Sequence, residues 1–489
     1  MKDVNMPPFA PVLMESTRSI GYSFESAIAD IIDNSIGKKA TEVHVNYSSR
    51  DPQYVAILDN ACGMDIAELE NAMRYGSRSS LDPRDSLDLG RFGLGLKTAS
   101  LSQCRKLTVL SKKDGKMCAA CWDLDYIAQK GDWVLITYEQ NELKNMLFYE
   151  QLAAQTSGTV VIWQEFDRIT DGSISPQKVF DEKIERARSH IALVFHRFMD
   201  SESVRSRTHI YFNGSKLDPI DPFLSDNPAT QPLTERTIRI ENSFIRVKPY
   251  ILPYTSKLSA KDKRRLGDLS DLRQNQGFYI YRNKRLIIWG TWFRLLRQQE
   301  LNKLARIRVD IPNTLDSIWE IDVKKSTASL PDVVKRNLVA IVENSVGRSE
   351  RVYRYRGRSV SRDSLTHVWN TVDNRGQFLY QINRDLPIYK LLEQSLSEAG
   401  IGYLDSFVKM LEDSFPYGDV YYRLAKDDSS VQTKQLEFEE AYKVASDMIA
   451  NLQALGMDTK SFLKNMDKLD FFEKYPEVVK KIREDYGDD

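Results

Sequence analysis

The stretch Glu25-Ser-Ala-Ile-Ala-Asp-Ile-Ile-Asp-Asn-Ser-Ile36 decides how the chain is read. Ala27, Ile28, Ile31, Ile32 and Ile36 recur at helical spacing, so one face of a helix is expected to be buried. Asp30 and Asn34 lie four residues apart and project side by side from that helix. A carboxylate beside an amide oxygen suits a water and a hydrated Mg²⁺ together, because Mg²⁺ takes oxygen ligands and keeps most of its waters. Asp33 is a neighbouring carboxylate, turned about 100° from Asn34 around the helix. Taken alone, such a pair is more often a solvated helix face, and the rest of the chain decides between the two.

Three further elements follow in order. Residues 54–58 form a short apolar strand that runs into Asp59-Asn60-Ala61-Cys62-Gly63-Met64. A carboxylate at a strand end can accept a hydrogen bond from a ligand amine, and a glycine just beyond it lets a ligand approach. A plain Asp-Asn turn is the competing reading. A polar stretch then leads to Gly90-Arg91-Phe92-Gly93-Leu94-Gly95-Leu96-Lys97-Thr98. Glycines ahead of a helix start present backbone N–H groups and a positive dipole end, which together favour an anion. Lys97 adds a point charge suited to a terminal phosphate. Residues 107–111 and 116–123 read as a hairpin about Asp114-Gly115, and 158–164 as a closing strand.

The set D-I-I-D-N-S, D-N-A-C-G-M, G-R-F-G-L-G-L-K-T and S-G-T at Ser157–Thr159 resembles the GHKL ATPases over roughly residues 16–163. That superfamily includes gyrase B, the mismatch-repair protein MutL, the ninety-kilodalton heat-shock chaperone, MORC proteins and sensor histidine kinases. The resemblance implies an α/β sandwich that binds ATP–Mg²⁺ under a lid spanning Gly76 to Gly95. It implies Asn34 as the Mg²⁺ ligand, Asp59 as the acceptor for the adenine amine and Thr159 as its support through water. With Gly63 and Met64 beside the base, the implied nucleotide set continues through Gly76, Gly90, Phe92, Gly93, Leu94, Gly95, Leu96, Lys97 and Thr98. Asp30 stands where hydrolytic members carry Glu, the base that activates the attacking water.

Residues 180–200 read as a helix on which His190 and His196, six apart, share no face and form no metal pair. Residues 277–288, G-F-Y-I-Y-R-N-K-R-L-I-I, resemble the strand–turn–strand of the transducer domain that follows the ATPase domain in MutL, gyrase B and MORC proteins. The transducer of that superfamily returns a lysine to the γ-phosphate. Lys324 or Lys325, in W-E-I-D-V-K-K-S, is implied in that role. This domain order excludes a histidine kinase.

The bulk numbers agree with a large soluble protein. At 489 residues the chain exceeds one core. Lys+Arg and Asp+Glu balance at 69 each, so any surface for nucleic acid must be local. No apolar run is long enough to span a bilayer, the first residues do not read as a signal peptide, and four cysteines fit a reducing cytoplasm. Cys118 and Cys121 fall three apart on a strand, facing opposite ways, and make no zinc site. The three prolines within residues 1–22 suggest an extended arm.

The expected layout is an ATP-binding domain with its arm (1–170), an α/β transducer domain (171–345), an Arg-rich linker (346–380) and an α-helical C-terminal region (381–489). Residues 348–362 carry six arginines interleaved with Tyr353 and Tyr355, a composition suited to phosphate contact and stacking or to a solvated linker. A second basic cluster lies at 257–265. The tail resembles those of bacterial MORC-like ATPases of restriction and anti-phage systems. That resemblance implies a nucleotide-dependent homodimer, DNA handling, and a helicase or nuclease partner, with no membrane. The alternatives are a chaperone-like ATPase acting on a protein client, or a nucleotide switch with weak hydrolysis.

Overall fold

The computed structural model describes residues 3, 6, 8–76, 95–169, 175–200, 207–240, 243–254, 258–266, 271–299, 302–315, 334–336, 338–339, 341–342, 366–374, 377–420, 436–454, 456 and 458–487. The chain divides into two compact units, Met1–Arg354 and Tyr355–Asp489.

The first unit begins with a helix, α1 (Ala10–Thr17), where an extended arm was expected. Pro11 occupies the first turn, where its missing N–H removes no helical hydrogen bond. Ala10 and Met14, four apart, supply the buried face. Helix α2 (Phe24–Gly37) is the expected central helix. The Ser23 side chain caps its N-terminus by accepting from the Ser26 N–H, and Ala27, Ile28, Ile31 and Ile32 are buried. Helix α3 (Ile66–Met73) starts with a reciprocal capping box between Asp65 and Glu68, and α4 (Gly95–Gln103) follows.

These helices serve an eight-stranded sheet. Its strands are β1 (Glu42–Ser48), β2 (Tyr54–Asp59), β3 (Lys106–Lys113), β4 (Lys116–Asp123), β5 (Ile136–Thr137), β6 (Gly158–Gln164), β7 (His209–Phe212) and β8 (Ser215–Lys216). Their spatial order is β5-β4-β3-β6-β2-β1-β7-β8. The β3–β4 hairpin and the β6 strand fall where sequence placed them. All neighbours are antiparallel except β1 and β7, which pair in parallel from Glu42↔His209 to Val45↔Phe212. This first sheet therefore takes in strands from beyond residue 170. Alternation divides its faces: Val55, Ile57, Val109 and Trp163 join the core that contains α2 and α4. Ala56, Leu58, Leu110, Val160 and Ile162 point to a second cluster on the other face. Cys118 is half-buried and Cys121 buried, and burial raises both thiols.

A six-stranded sheet completes the unit. It comprises β9 (Gln231–Pro232), β10 (Arg236–Ile240), β11 (Ser243–Ile251), β12 (Gly277–Arg282), β13 (Arg285–Thr291) and β14 (Ala305–Ile311). The main path is β10-β11-β14-β12-β13. Asn283 and Lys284, both at positive φ, make the two-residue turn between β12 and β13. The helix Pro176–Val194 packs on α2 and also touches β13, so one apolar core runs from the first sheet to the second. His190 and His196 both serve this core. Burial pushes each down to about 4, and His196 Nε2 bonds the Tyr281 hydroxyl at 2.8 Å.

The second unit is mostly helical, with a hairpin of β15 (Trp369–Asn374) and β16 (Gln377–Ile382). That hairpin lies largely inside residues 346–380, expected as linker; Trp369, Thr371, Phe378 and Tyr380 are strand formers. Toward the C-terminus the helices are short, Thr459–Asn465, Asp470–Glu473 and Pro476–Tyr486, and Pro476 cannot continue the helix before it. Ala445, Ile449, Met466, Phe472 and Ile482 centre its core. Among the described residues, no helix is long and apolar enough to cross a membrane.

Candidate nucleotide site

Helix α2 brings together most of what the motifs predict. Asp30 is buried on the side facing α4: its Oδ2 accepts from the Tyr22 hydroxyl at 3.0 Å, and a Cβ built on Gly95 would lie 3.4 Å from that same oxygen. The carboxylate thus abuts the first residue of α4, the end of the expected glycine loop. Asn34, one turn further along α2, is exposed. Asp33 is 2% exposed and meets Arg285 of β13, whose Nε lies 2.8 Å from Oδ1 and 2.7 Å from Oδ2. The same guanidinium has Nη2 4.0 Å from Asp30 Oδ1.

At the end of β2, Asp59 is held from three directions. Ser35 Oγ donates to Oδ2 at 2.7 Å, and the N–H groups of Ala61 and Thr159 donate to Oδ1 at 3.0 and 3.2 Å. Burial raises its pKa, while these three donors work in the opposite direction. Asn60 is structural: its amide oxygen caps the N–H groups of Thr41 and Glu42. Gly63 has φ +66°, and a Cβ there would fall 1.9 Å from the Lys112 carbonyl oxygen. The missing side chain therefore makes room first for strand β3. Gly158 is equally constrained, because its Cβ would come 2.2 Å from the Asp59 carbonyl oxygen.

Ser111 joins these parts. It accepts from the Met64 N–H at 2.9 Å, donates to the Gly158 carbonyl at 3.0 Å and lies 2.9 Å from Thr159 Oγ1. With one proton on Ser111 committed to Gly158, the Thr159 hydroxyl must donate to Ser111. Its lone pairs then remain for other donors. Neither Ser35 nor Ser111 was singled out from sequence. Ser35 sits inside the D-N-S motif, which was the available signal, whereas Ser111 lies in an ordinary strand.

The phosphate side differs. Lys97, expected at a terminal phosphate, is buried, and its ammonium donates to the carbonyls of Ala72 and Arg74 at 2.9 and 2.8 Å. The last carbonyls of α3 lack helical partners, and the nearest cation caps them. Burial pushes Lys97 down to about 8. Thr98 is buried in α4, Leu96 is half-buried, and Gly76 takes φ +70° just past α3. Gly90, Phe92, Gly93, Leu94, Lys324 and Lys325 lie outside the described residues, as does the arginine run 348–362.

The donor set around α2 fits Mg²⁺ chemistry, since the Asn34 amide is solvent-facing and within one helical turn of a carboxylate. A separate acidic group, Asp123, Asp125 and Glu165, has oxygens within 4.8 Å of one another. Arg105 and Lys106 neutralise it, at 2.7 Å to Asp125 and at 3.8 and 3.9 Å to Asp123 and Glu165.

The first sheet thus carries Asp59 at the end of β2, and helix α2 carries Asp30 and Asn34 beside it. A family model described as histidine kinase-, DNA gyrase B-, and HSP90-like ATPase matches residues 22–159, so this stretch is a GHKL-type ATPase domain. The chain is 30% identical over 95 residues to ATPase morc-1 of Caenorhabditis elegans, covering 19% of this chain and 11% of that protein. It is 30% identical over 106 residues to ATPase MORC2B of Mus musculus, covering 21% of this chain and 10% of that protein. The chain thus spans about a tenth of the length of these relatives. The crystal structure of the N-terminal domain of a DNA repair protein aligns over 70% of this chain and 98% of that one, with a TM-score of 0.43 and 15% identity.

Proposed function

We propose that this chain binds and hydrolyses ATP and works as a nucleotide-operated clamp. The observation that carries the reading is the placement of Asp30 against Gly95 on the same helix whose Ser35 orients Asp59. One rigid helix thereby spans both ends of a bound nucleotide. Asp59 accepts the adenine amine, Thr159 supports the base, and the N-terminus of α4 receives phosphate oxygens through its N–H groups and dipole. Asp30 accepts the proton of the attacking water, while Tyr22 fixes the orientation of its carboxylate. Asn34 is the residue that would hold Mg²⁺, whose chemistry there is to neutralise charge on the phosphates. Lys324 or Lys325 reads the γ-phosphate, so that geometry changes on hydrolysis.

In this reading ATP binding dimerises two copies, and the arginines of 348–362 contact duplex DNA, in genome defence beside a helicase or nuclease. A second reading, action on a protein client, draws on the helix Glu398–Asp413. That helix exposes Tyr403, Phe407 and Met410 at helical spacing, with fractional exposures of 78%, 59% and 68%. Steady-state ATP hydrolysis with and without duplex DNA, across a salt series, separates the two. Stimulation that falls steeply with salt supports the clamp, and hydrolysis indifferent to DNA supports the client.

A further inference from the structure

Arg285 lies 252 residues from Asp33 in sequence yet reaches its carboxylate across the core. It sits at the first position of β13, directly after the tight Asn283-Lys284 turn, so its Cα is fixed by the hairpin and not by a loose loop. The side chain is almost fully enclosed. Its Nε engages both oxygens of Asp33, one Nη donates to the Leu286 carbonyl at 3.2 Å, and the guanidinium lies 5.5 Å from the Phe195 ring centroid. The remaining nitrogen, Nη2, faces Asp30 Oδ1 at 4.0 Å. The other oxygen of Asp30 accepts from the Tyr22 hydroxyl.

We infer that Arg285 is a positioning residue: it is the point at which the second sheet sets the orientation of the Asp30 carboxylate. This rests on the reading of Asp30 as the base. A guanidinium is a planar fork with donors in fixed directions, so anchoring Nε on Asp33 also fixes where Nη2 stands relative to Asp30. Asp30 is then bracketed by a phenol from the segment before α2 and a cation from β13. Any displacement of the β12–β13 hairpin moves the cation, and an ångström of misplacement at a reacting group costs up to about 100-fold in rate. The hairpin thereby gates hydrolysis without touching nucleotide.

The test measures ATP affinity and single-turnover hydrolysis on the full chain for Arg285→Lys, Arg285→Met, Arg285→Met/Asp33→Asn and Asp30→Asn. Arg285→Lys keeps a cation opposite Asp33 and so preserves folding, but it lacks the second nitrogen facing Asp30. The expected result is a rate about 10- to 100-fold lower with ATP affinity within about threefold of the native chain. The double variant also removes the charge of the buried Asp33 carboxylate, from which Arg285→Met takes away the guanidinium. It is expected to regain thermal stability yet stay slow, whereas a purely structural role predicts that rate returns with stability. Native rates in Arg285→Lys or in the double variant overturn the inference. So does an affinity loss that accounts for the whole rate loss. If Asp30→Asn hydrolyses ATP at the native rate, the assignment of the base has failed and the inference falls with it. If Asp30→Asn is inactive while the Arg285 variants are fast, only the inference has failed.

Discussion

The two ends of the proposed nucleotide site, adenine and phosphate, are built differently. At the adenine end, Asp59 receives three hydrogen bonds from its own chain, and Ser111 ties β3, the Gly63 turn and Thr159 into one network. The acceptor is preorganised, so little ordering accompanies base binding. At the phosphate end, the conspicuous cation is turned away, capping the carbonyls of α3. In the proposed reading, phosphate binding there competes with that cap or proceeds without Lys97. On the proposed reading, the adenine end recognises and the phosphate end responds.

The contrast can be broken most severely at Asp59. Asp59→Asn keeps an oxygen for the Ala61 and Thr159 N–H groups, but turns an acceptor into a donor where the adenine amine must bind. ATP affinity is expected to fall about 100-fold or more, measured by titration calorimetry, with the fold intact by circular dichroism. Because burial raises the Asp59 pKa, its ionised form is disfavoured in the fold. Native stability relative to Asp59→Asn should therefore decline as pH rises through that raised value, a trend readable by thermal melts.

Gly63→Ala attacks the same end through the backbone. Positive φ together with a Cβ 1.9 Å from the Lys112 carbonyl predicts destabilisation of roughly 2–4 kcal/mol by denaturant titration. A smaller effect is expected from Ser111→Ala. It leaves the Met64 N–H without its acceptor and costs about 1–2 kcal/mol, with a several-fold weaker ATP affinity.

The smallest effect sharpens the other end. In the fold the Lys97 ammonium is disfavoured, with its pKa lowered from 10.5 to about 8. Between those two values the unfolded chain binds more protons, so native stability should rise with pH across that window relative to Lys97→Met. A fall there would contradict the buried cap. If Lys97→Met also weakens ATP binding, the lysine leaves α3 for the phosphates when nucleotide arrives.

Much of the candidate site was legible in the sequence. The periodicity of Ala27 to Ile36 located α2, and short-range motifs singled out Asp30, Asn34, Asp59 and Thr159, because each lies in a short run of characteristic residues. What was hidden depends on distance or on permissive residues. Arg285 and Asp33 meet only through tertiary packing, which no local pattern encodes. Ser111 looks like any strand serine until β6 lies beside it. The prolines before α1 suggested extension, although Pro in a first turn is compatible with a helix. Strand β7 pairs with β1 across about 165 residues of sequence, which placed it with the second domain when read in order.

The central claim is that Asp30, held by Tyr22 against the start of α4, is the base for ATP hydrolysis. Single-turnover hydrolysis by Asp30→Asn, at ATP concentrations shown by direct titration to saturate both proteins, tests it most directly. The account predicts native-like ATP binding with hydrolysis reduced at least about 100-fold. Hydrolysis at the native rate by Asp30→Asn would contradict it.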